Sequence, residues 1–137
     1  FGNGMAVSVI STAAGKCTMS FSDALIRGVF CNFLVCIAVW ISFAAKDAAG
    51  KVIGLFFPIM IFVLCGFEHS VANMYYIGAG LMARTVPEYL DAALAAGLNP
   101  DVINLGANLL PVTIGNVLGG GVCVGGVYWL AYLRKAD

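Results

Sequence analysis

The sequence predicts an all-α membrane protein in which one membrane-spanning helix is interrupted. Of its 137 residues, 61% are hydrophobic and only 10% are charged, far from the balance of a soluble domain. Charge-free runs long enough to cross about 30 Å of hydrocarbon as helices separate the few charged segments. One of these runs, Val52 to Ala83, carries an ionisable pair, Glu68 and His69, near its middle.

Composition also excludes several classes of function. Seven basic and seven acidic residues give a net charge of zero, so the chain lacks the basic excess of a nucleic-acid-binding protein. The five cysteines show neither a CxxC motif nor a Cys/His spacing that suits zinc or an iron–sulfur cluster. A single histidine excludes bis-histidine haem ligation within the chain. We therefore expect no nucleic-acid partner, no metal site, no catalytic residue and no cofactor.

The beginning of the chain is predicted to be a loop, followed by the start of a helix, over residues 1–27. Its first residues, FGNGMAVSVISTAAG, lack the basic flank and the cleavage pattern of a signal peptide, and we expect the chain to be a fragment or a processed product. Ser20, Ser22 or Asp23 is suited to cap the helix that starts there. The first span follows at about 28–45. It contains Asn32, which in lipid must find a partner or line a cavity.

The second span, about 52–83, is predicted to be a discontinuous helix. It is longer than one ordinary span, while Glu68 and His69 divide it into two pieces that are each too short to cross alone. A break at membrane depth is tolerated only where the freed backbone groups are buried in protein or face water. Gly66 supplies conformational freedom before the pair, and Ser70 is a plausible N-cap for the second half-helix.

A short interfacial helix is predicted at about 85–97. Thr85 and Glu88 have the spacing of a capping box, and Pro87 lies near the helix start. Gly97 is a typical helix stop.

The last span is predicted at about 102–133. Its glycines Gly115 and Gly119, and then Gly121 and Gly125, lie four residues apart. Small residues at this spacing allow helices to approach closely. We therefore expect these four glycines to form a packing face rather than a ligand-binding loop.

Three spans would place the two ends of the chain on opposite sides of the membrane. One side would carry Lys46, Lys51, Arg134 and Lys135, and the other would carry Lys16, Arg27 and Arg84. Because positive charge accumulates on the cytoplasmic side, this small excess favours a cytoplasmic C-terminus.

The ionisable pair allows a structural and a functional interpretation. A charged side chain at the centre of a membrane helix costs about 2.5–3.5 kcal/mol on insertion scales, so it usually marks a pathway, a relay or a ligand site. His69 is the stronger functional candidate because imidazole changes charge near neutral pH. It could also be a neutral, hydrogen-bonded core residue, and Glu68 could be a structural carboxylate that caps N–H groups at the break. Asn32 is equally open between a helix–helix hydrogen bond and a pore-lining donor.

Three stretches, CNFLVCIAVW, FFPIMIFVLCGFEHSVANMYYI and NLLPVTIGNVLGGG, in this order, resemble the formate/nitrite transporter family. The resemblance covers the whole chain and implies the C-terminal half of a six-helix, aquaporin-like channel built from two inverted repeats. The spans at 28–45, 52–83 and 102–133 would then be helices four, five and six, with helix five broken. The family assembles as homopentamers with a separate pore in each protomer.

The resemblance also implies roles for individual residues. His69 would be the central pore histidine, Asn32 its polar neighbour, and Phe62, which is otherwise an ordinary apolar side chain, part of a hydrophobic constriction. Lys16, by default a solvated loop cation, would be the vestibule lysine that attracts anions. The pore threonine and a second constriction would come from an N-terminal half, without which this chain should not conduct.

The implied substrate is a small monovalent anion, with protons and membrane lipids as further partners. Formate is favoured, hydrosulfide and nitrite are close alternatives, and lactate is also handled by the family. Gly78 stands where the best-known formate channels have proline, so the choice stays open. A prokaryotic inner membrane is the expected location. The alternatives from other classes are a membrane-anchor subunit of a redox complex and a purely structural oligomeric module.

Overall fold

The computed structural model describes residues 2–134, and over that range every regular element is helical. The elements are α1 (Asn3–Cys17), α2 (Phe21–Ala44), α3 (Ala48–Leu64), α4 (Ser70–Ala83), α5 (Pro87–Ala95), a 3₁₀ turn (Pro100–Val102), and α6 (Leu105–Val117), which continues as π-helix over Leu118–Gly126 and Trp129–Leu133. The all-α prediction is thus confirmed. Lys135, used in the prediction of sidedness, lies outside the described residues.

Within residues 2–134, two helices are long and apolar enough to cross a membrane. They are α2, with 24 residues, and the 29-residue helix Leu105–Leu133, while α3 is apolar but shorter. The same helices therefore account for two of the three predicted spans, and the third is divided between α3 and α4.

The described residues form two compact units. One unit contains the chain up to Asp23 together with Ser70–Pro111, and the other contains Ala24–His69 together with the residues from Val112 onward. Each unit is described separately below.

The first unit has a small apolar core in which α1 packs against α4 and α5. Its buried residues are Ile10, Ala13, Ala14, Cys17, Ile77, Ala93 and Ile103. A Cβ added at Gly80 of α4 would collide with the Cβ of Ala13. The two helices therefore approach at a position where α4 has no side chain.

Two buried asparagines extend this core with hydrogen bonds. The Nδ2 of Asn73 donates to the Oδ1 of Asn108 at 2.7 Å, and the Nδ2 of Asn108 donates to the backbone O of Lys16 at 2.9 Å. Asn108 is fully buried, and polar groups at such depth need partners because desolvation without a hydrogen bond is costly. The pair therefore ties the end of α1 to α4 and α6.

The helix α1 corrects the prediction of a loop at the start of the chain. Its sequence mixes small, hydroxyl and apolar residues, so its helical conformation depends on packing against α4 rather than on a strong local pattern. The next helix, α2, begins at Phe21 rather than at residue 28, because Ser20 caps it. The backbone N–H of Asp23 donates to the Oγ of Ser20 at 3.2 Å.

The helix α5 ends as predicted but begins differently. Gly97 has a φ of 75°, and the N–H of Leu98 donates to the O of Ala93 at 3.0 Å, as in a Schellman motif. The predicted capping box is absent, because Val86 is the N-cap without a side-chain hydrogen bond and the Oγ1 of Thr85 donates back to the O of Met82 at 2.7 Å.

The second unit is organised by close packing of α2 against α6 and its π-helical continuation. A Cβ at Gly115 would collide with the backbone O of Leu25, and one at Gly119 with the backbone O of Val29. Because the obstructing atoms are backbone, both positions accept only glycine at this helix separation.

Two glycines on this interface were not predicted, and two of the predicted ones lie elsewhere. A Cβ at Gly28 would approach the O of Val112 at 2.8 Å, and one at Gly120 would approach the Sγ of Cys36 at 2.8 Å. A Cβ at Gly121 would meet nothing within 4 Å, and at Gly125 only the O of Gly120, at 3.5 Å. The reason is the position of the second pair in the sequence: Gly121 and Gly125 follow Gly119 by two and six residues, and in a helix of about 3.6 residues per turn these separations place them on a different face from Gly115 and Gly119.

Candidate functional site

The candidate site is the non-helical segment from Cys65 to His69, which follows α3 within the second unit. Gly66 adopts a φ of 64°, a left-handed conformation that costs a residue with a Cβ about 1–2 kcal/mol. The N–H of Gly66 donates to the O of Val63 at 3.1 Å, and the N–H of Phe67 donates to the O of Phe62 at 3.0 Å. This pair of bonds is a Schellman motif, so glycine is needed where the chain leaves α3.

Asn116 on α6 holds the same segment through a side-chain amide. Its Nδ2 donates to the backbone O of Glu68 at 3.0 Å and to the backbone O of Gly28 at 2.9 Å. Both amide hydrogens are therefore engaged, which is the full donor capacity of the group. Asn116 is only 6% exposed, so both of its amide hydrogens are satisfied at a place where water is largely excluded.

Asn32 on α2 contacts the same position of α6. Its Nδ2 donates to the backbone O of Asn116 at 2.7 Å, two residues before the start of the π-helix at Leu118. Two interpretations of Asn32 were left open by the sequence. The structure gives it a helix–helix hydrogen bond, while its partial burial leaves part of the side chain accessible.

His69 lies at the end of the segment beside Phe62. The centroids of the imidazole and the phenyl ring are 6.2 Å apart, with 36° between the ring planes, and both residues are half-buried. The neighbouring Glu68 is only 3% exposed. The structure therefore brings His69, Phe62, Glu68 and Gly66 together around one non-helical turn.

Two further predicted residues belong to the first unit. Ser70 is the first residue of α4 rather than the residue that precedes the helix. Lys16 lies in the last turn of α1 and not in a loop. Lys16 as a whole is half-buried, and its Nζ lies 5.4 Å from the ring centroid of Tyr76, in a cation–π contact.

Asn116 and Arg27 are contributors to the site that the sequence did not single out. Arg27 donates from Nη1 to the O of Gly66 at 3.2 Å. The partners of the two side chains lie 39 and 48 positions away, so no local pattern reveals them. The available signal was an amide that follows a packing glycine, as Asn116 follows Gly115.

The polar side chains around this turn are those of Arg27, Glu68, His69 and Asn116. Between residues 2 and 134, no group of three or more His, Cys, Asp or Glu side chains could hold a metal ion. Over the same range, every buried side-chain nitrogen and oxygen atom has a hydrogen-bond partner.

Comparisons with known proteins identify the family to which the chain belongs. The model for "Formate/nitrite transporter" matches residues 1–130. The chain is 45% identical over 128 residues to the uncharacterized transporter YrhG of Bacillus subtilis, a match that covers 92% of this chain and 42% of that protein. It is 40% identical over 137 residues to the formate channel FocA of Escherichia coli, covering 96% of this chain and 48% of FocA.

Solved structures agree with these sequence matches. A pentameric formate channel with formate bound superimposes with a TM-score of 0.81 at 34% identity, covering 97% of this chain and 55% of that one. An ion channel of the same family gives a TM-score of 0.72 at 32% identity, covering 90% of this chain and 45% of that one. The chain thus spans about half the length of the relatives it matches, and it belongs to the formate/nitrite transporter family of integral membrane channels.

Proposed function

We propose that this chain is the C-terminal half of a homopentameric channel or transporter, not an enzyme, that carries a small monovalent anion across the membrane. Formate is the favoured substrate over hydrosulfide, nitrite and lactate, because several of its relatives are named formate channels and a similar structure has formate bound. An N-terminal half of the same protein would complete each pore.

The observation that carries the proposal is the position of His69. It is the only histidine of the chain, and it lies on a non-helical turn beside the aromatic ring of Phe62. A turn of this kind in a membrane protein is tolerated where it is buried in protein or lines a water-filled cavity. In the proposed pore, Phe62 forms the apolar constriction and His69 is the polar group next to it.

The physical problem for the pore is to move a negative charge past apolar side chains. An unpaired ion in such surroundings is strongly disfavoured. Protonated imidazole can pair with the anion, or it can transfer its proton so that the substrate crosses as the neutral weak acid. The α4 helix begins at the next residue, Ser70, and the partial positive charge of a helix N-terminus favours an anion nearby.

The remaining residues have supporting roles in the proposal. Asn32 uses one amide hydrogen in its bond to Asn116 on α6, and its second amide hydrogen is the donor offered to the pore. The buried Glu68 is structural. Lys16, which lies over the ring of Tyr76, attracts the anion toward the pore through its positive charge. The membrane is proposed to be a prokaryotic inner membrane, with the C-terminus in the cytoplasm.

The experiment that tests the role of His69 uses the complete protein in proteoliposomes. Formate uptake is measured as a function of external pH under an imposed proton gradient. We expect His69→Ala to abolish proton-coupled uptake, and His69→Gln, which keeps a hydrogen-bond donor but cannot become cationic, to leave only uptake that does not depend on pH. Uptake by His69→Ala with the pH dependence of the parent protein would disprove the assignment.

Lys16 is tested by the substrate dependence of the same flux. Lys16→Ala should slow uptake at low formate concentration and leave the pentamer intact, because attraction acts on the capture of the anion. Lys16→Arg keeps the charge and is the matched control. Normal uptake by Lys16→Ala at low formate would remove the proposed role.

A further inference from the structure

The segment that carries His69 is fastened to one turn of α2 by three contacts. The Nη1 of Arg27 donates to the backbone O of Gly66 at 3.2 Å, and the backbone N–H of Glu68 donates to the backbone O of Arg27 at 3.4 Å. One turn further along α2, the ring of Phe30 stacks on the ring of Phe67, with centroids 5.6 Å apart and 25° between the planes.

Of these three contacts, only the hydrogen bond from the Arg27 guanidinium group to the O of Gly66 depends on a polar side chain. The carbonyl of Gly66 lies beyond the end of α3, so no N–H of that helix reaches it. A guanidinium group supplies a charged donor, and hydrogen bonds with one charged partner are roughly twice as strong as neutral ones. A cation at this place also compensates the partial negative charge at the C-terminal end of α3.

We propose that Arg27 is a positioning residue for His69. Its side chain fixes the peptide group of Gly66, its backbone fixes that of Glu68, and His69 is the next residue after Glu68. These two bonds, together with the bond from Asn116 to the O of Glu68, restrict the motion of the backbone from Gly66 to Glu68. Arg27 therefore sets where the imidazole lies relative to Asn32, which is carried by the same helix α2.

The rate of transport should depend on the exact position of the His69 imidazole. A displacement of about 1 Å of a functional group can lower a rate by about 100-fold. Removal of the Arg27 side chain should leave α2 and α3 folded, because the Schellman motif and the Phe30–Phe67 stack do not involve it. The segment itself should become mobile. This inference rests on the proposed role of His69, and its test therefore includes a measurement that does not depend on transport.

The test compares Arg27→Ala with Arg84→Ala in the complete pentameric protein. Arg84 is the matched control because its Nη1 donates to a backbone carbonyl in the same way, to Pro100 at 3.0 Å, in the other unit. Amide hydrogen exchange of protein in nanodiscs reports on the contact, and formate flux in proteoliposomes reports on function. Arg27→Lys tests rescue, since a lysine can donate the single bond to Gly66.

We expect Arg27→Ala to raise exchange at residues 65–69 and to lower the maximal flux by roughly 10-fold to 100-fold, with the pentamer retained. Arg84→Ala should raise exchange near Pro100 and leave both the segment and the flux unchanged. Arg27→Lys should recover most of the protection and the flux, and it also serves if Arg27→Ala does not assemble. Unchanged exchange at 65–69 in Arg27→Ala, or no recovery with lysine, would overturn the proposal. A failure of the His69 variants to alter pH dependence would instead refute the proposed function and leave the exchange result standing.

Discussion

The closest approach of α2 and α6 makes Gly119 the most informative position for a stability measurement. A Cβ at Gly119 would collide with the backbone O of Val29 and would lie 2.8 Å from its C atom and 3.0 Å from its Cα. Carbon atoms pack at about 3.5–4.0 Å, so α2 would have to move by roughly 0.7 Å or more. Overpacking of this kind costs about 1–3 kcal/mol, and the upper part of that range applies because backbone atoms cannot rotate away.

The matched control is Gly121, where an added Cβ would meet nothing within 4 Å. Both glycines lie in the same π-helical stretch, so the backbone entropy gained from alanine, about 0.5–1 kcal/mol, is common to the two variants. After this gain is subtracted, Gly119→Ala should lower the free energy of unfolding by about 2 kcal/mol. Gly121→Ala should leave it unchanged or raise it by up to about 1 kcal/mol.

Unfolding of the complete protein in mixed micelles of mild detergent and dodecyl sulfate provides the assay, with tryptophan fluorescence as the signal. The quantity to compare is the difference in the free energy of unfolding between Gly119→Ala and Gly121→Ala, because the effect of helix propensity cancels in that difference. If Gly119→Ala is as stable as the parent protein, the close packing of α2 on α6 is not what holds the second unit together. Equal losses in both variants would contradict the assignment of the packing face.

Three further predictions use the same assay. Gly66→Ala should lower the free energy of unfolding by about 1–2 kcal/mol because of its positive φ, whereas Gly78→Ala in α4 should be neutral or stabilising; equal effects would refute the backbone argument. A double-mutant cycle of Asn73→Ala and Asn108→Ala should give a coupling energy of about 0.6–1.7 kcal/mol, and strict additivity would exclude the buried amide pair. Asn116→Leu removes the two hydrogen bonds that this amide donates to Glu68 and Gly28 and should cost about 1–3 kcal/mol; a loss below about 0.5 kcal/mol would contradict their contribution to stability.

The placement of charge predicts an interruption of the second span near Glu68 and His69. An ionisable pair within an apolar run that is too long for one span indicates a break. In the structure, α3 ends at Leu64 and α4 begins at Ser70. The family resemblance, now confirmed by the comparisons, added the roles of His69 and Phe62, which remain proposals.

Local patterns could not predict the contacts between distant parts of the chain. The sequence marks Asn116 only as a polar residue in an apolar helix, because the carbonyls it holds belong to a turn 48 positions earlier and to α2. Arg27 was assigned only to a membrane side, since a basic residue at the edge of a span has that ordinary explanation. The helix α1 was missed because its stability comes from its neighbours in the first unit.

Where α2 and α6 contact the non-helical turn, each helix has a glycine next in sequence to the polar residue that makes the contact. Gly28 follows Arg27 on α2, and Gly115 precedes Asn116 on α6. A Cβ at Gly28 would lie 3.3 Å from the Nδ2 of Asn116, so the glycine leaves space for the amide to reach the backbone carbonyl at 2.9 Å. The hydrogen bonds of Asn116 therefore depend on the close packing of the helices. Its amide side chain is short and can bridge α2 and α6 only when the two helices are near each other. It follows that a larger residue at Gly28 should displace the amide of Asn116 and so release the turn that carries His69.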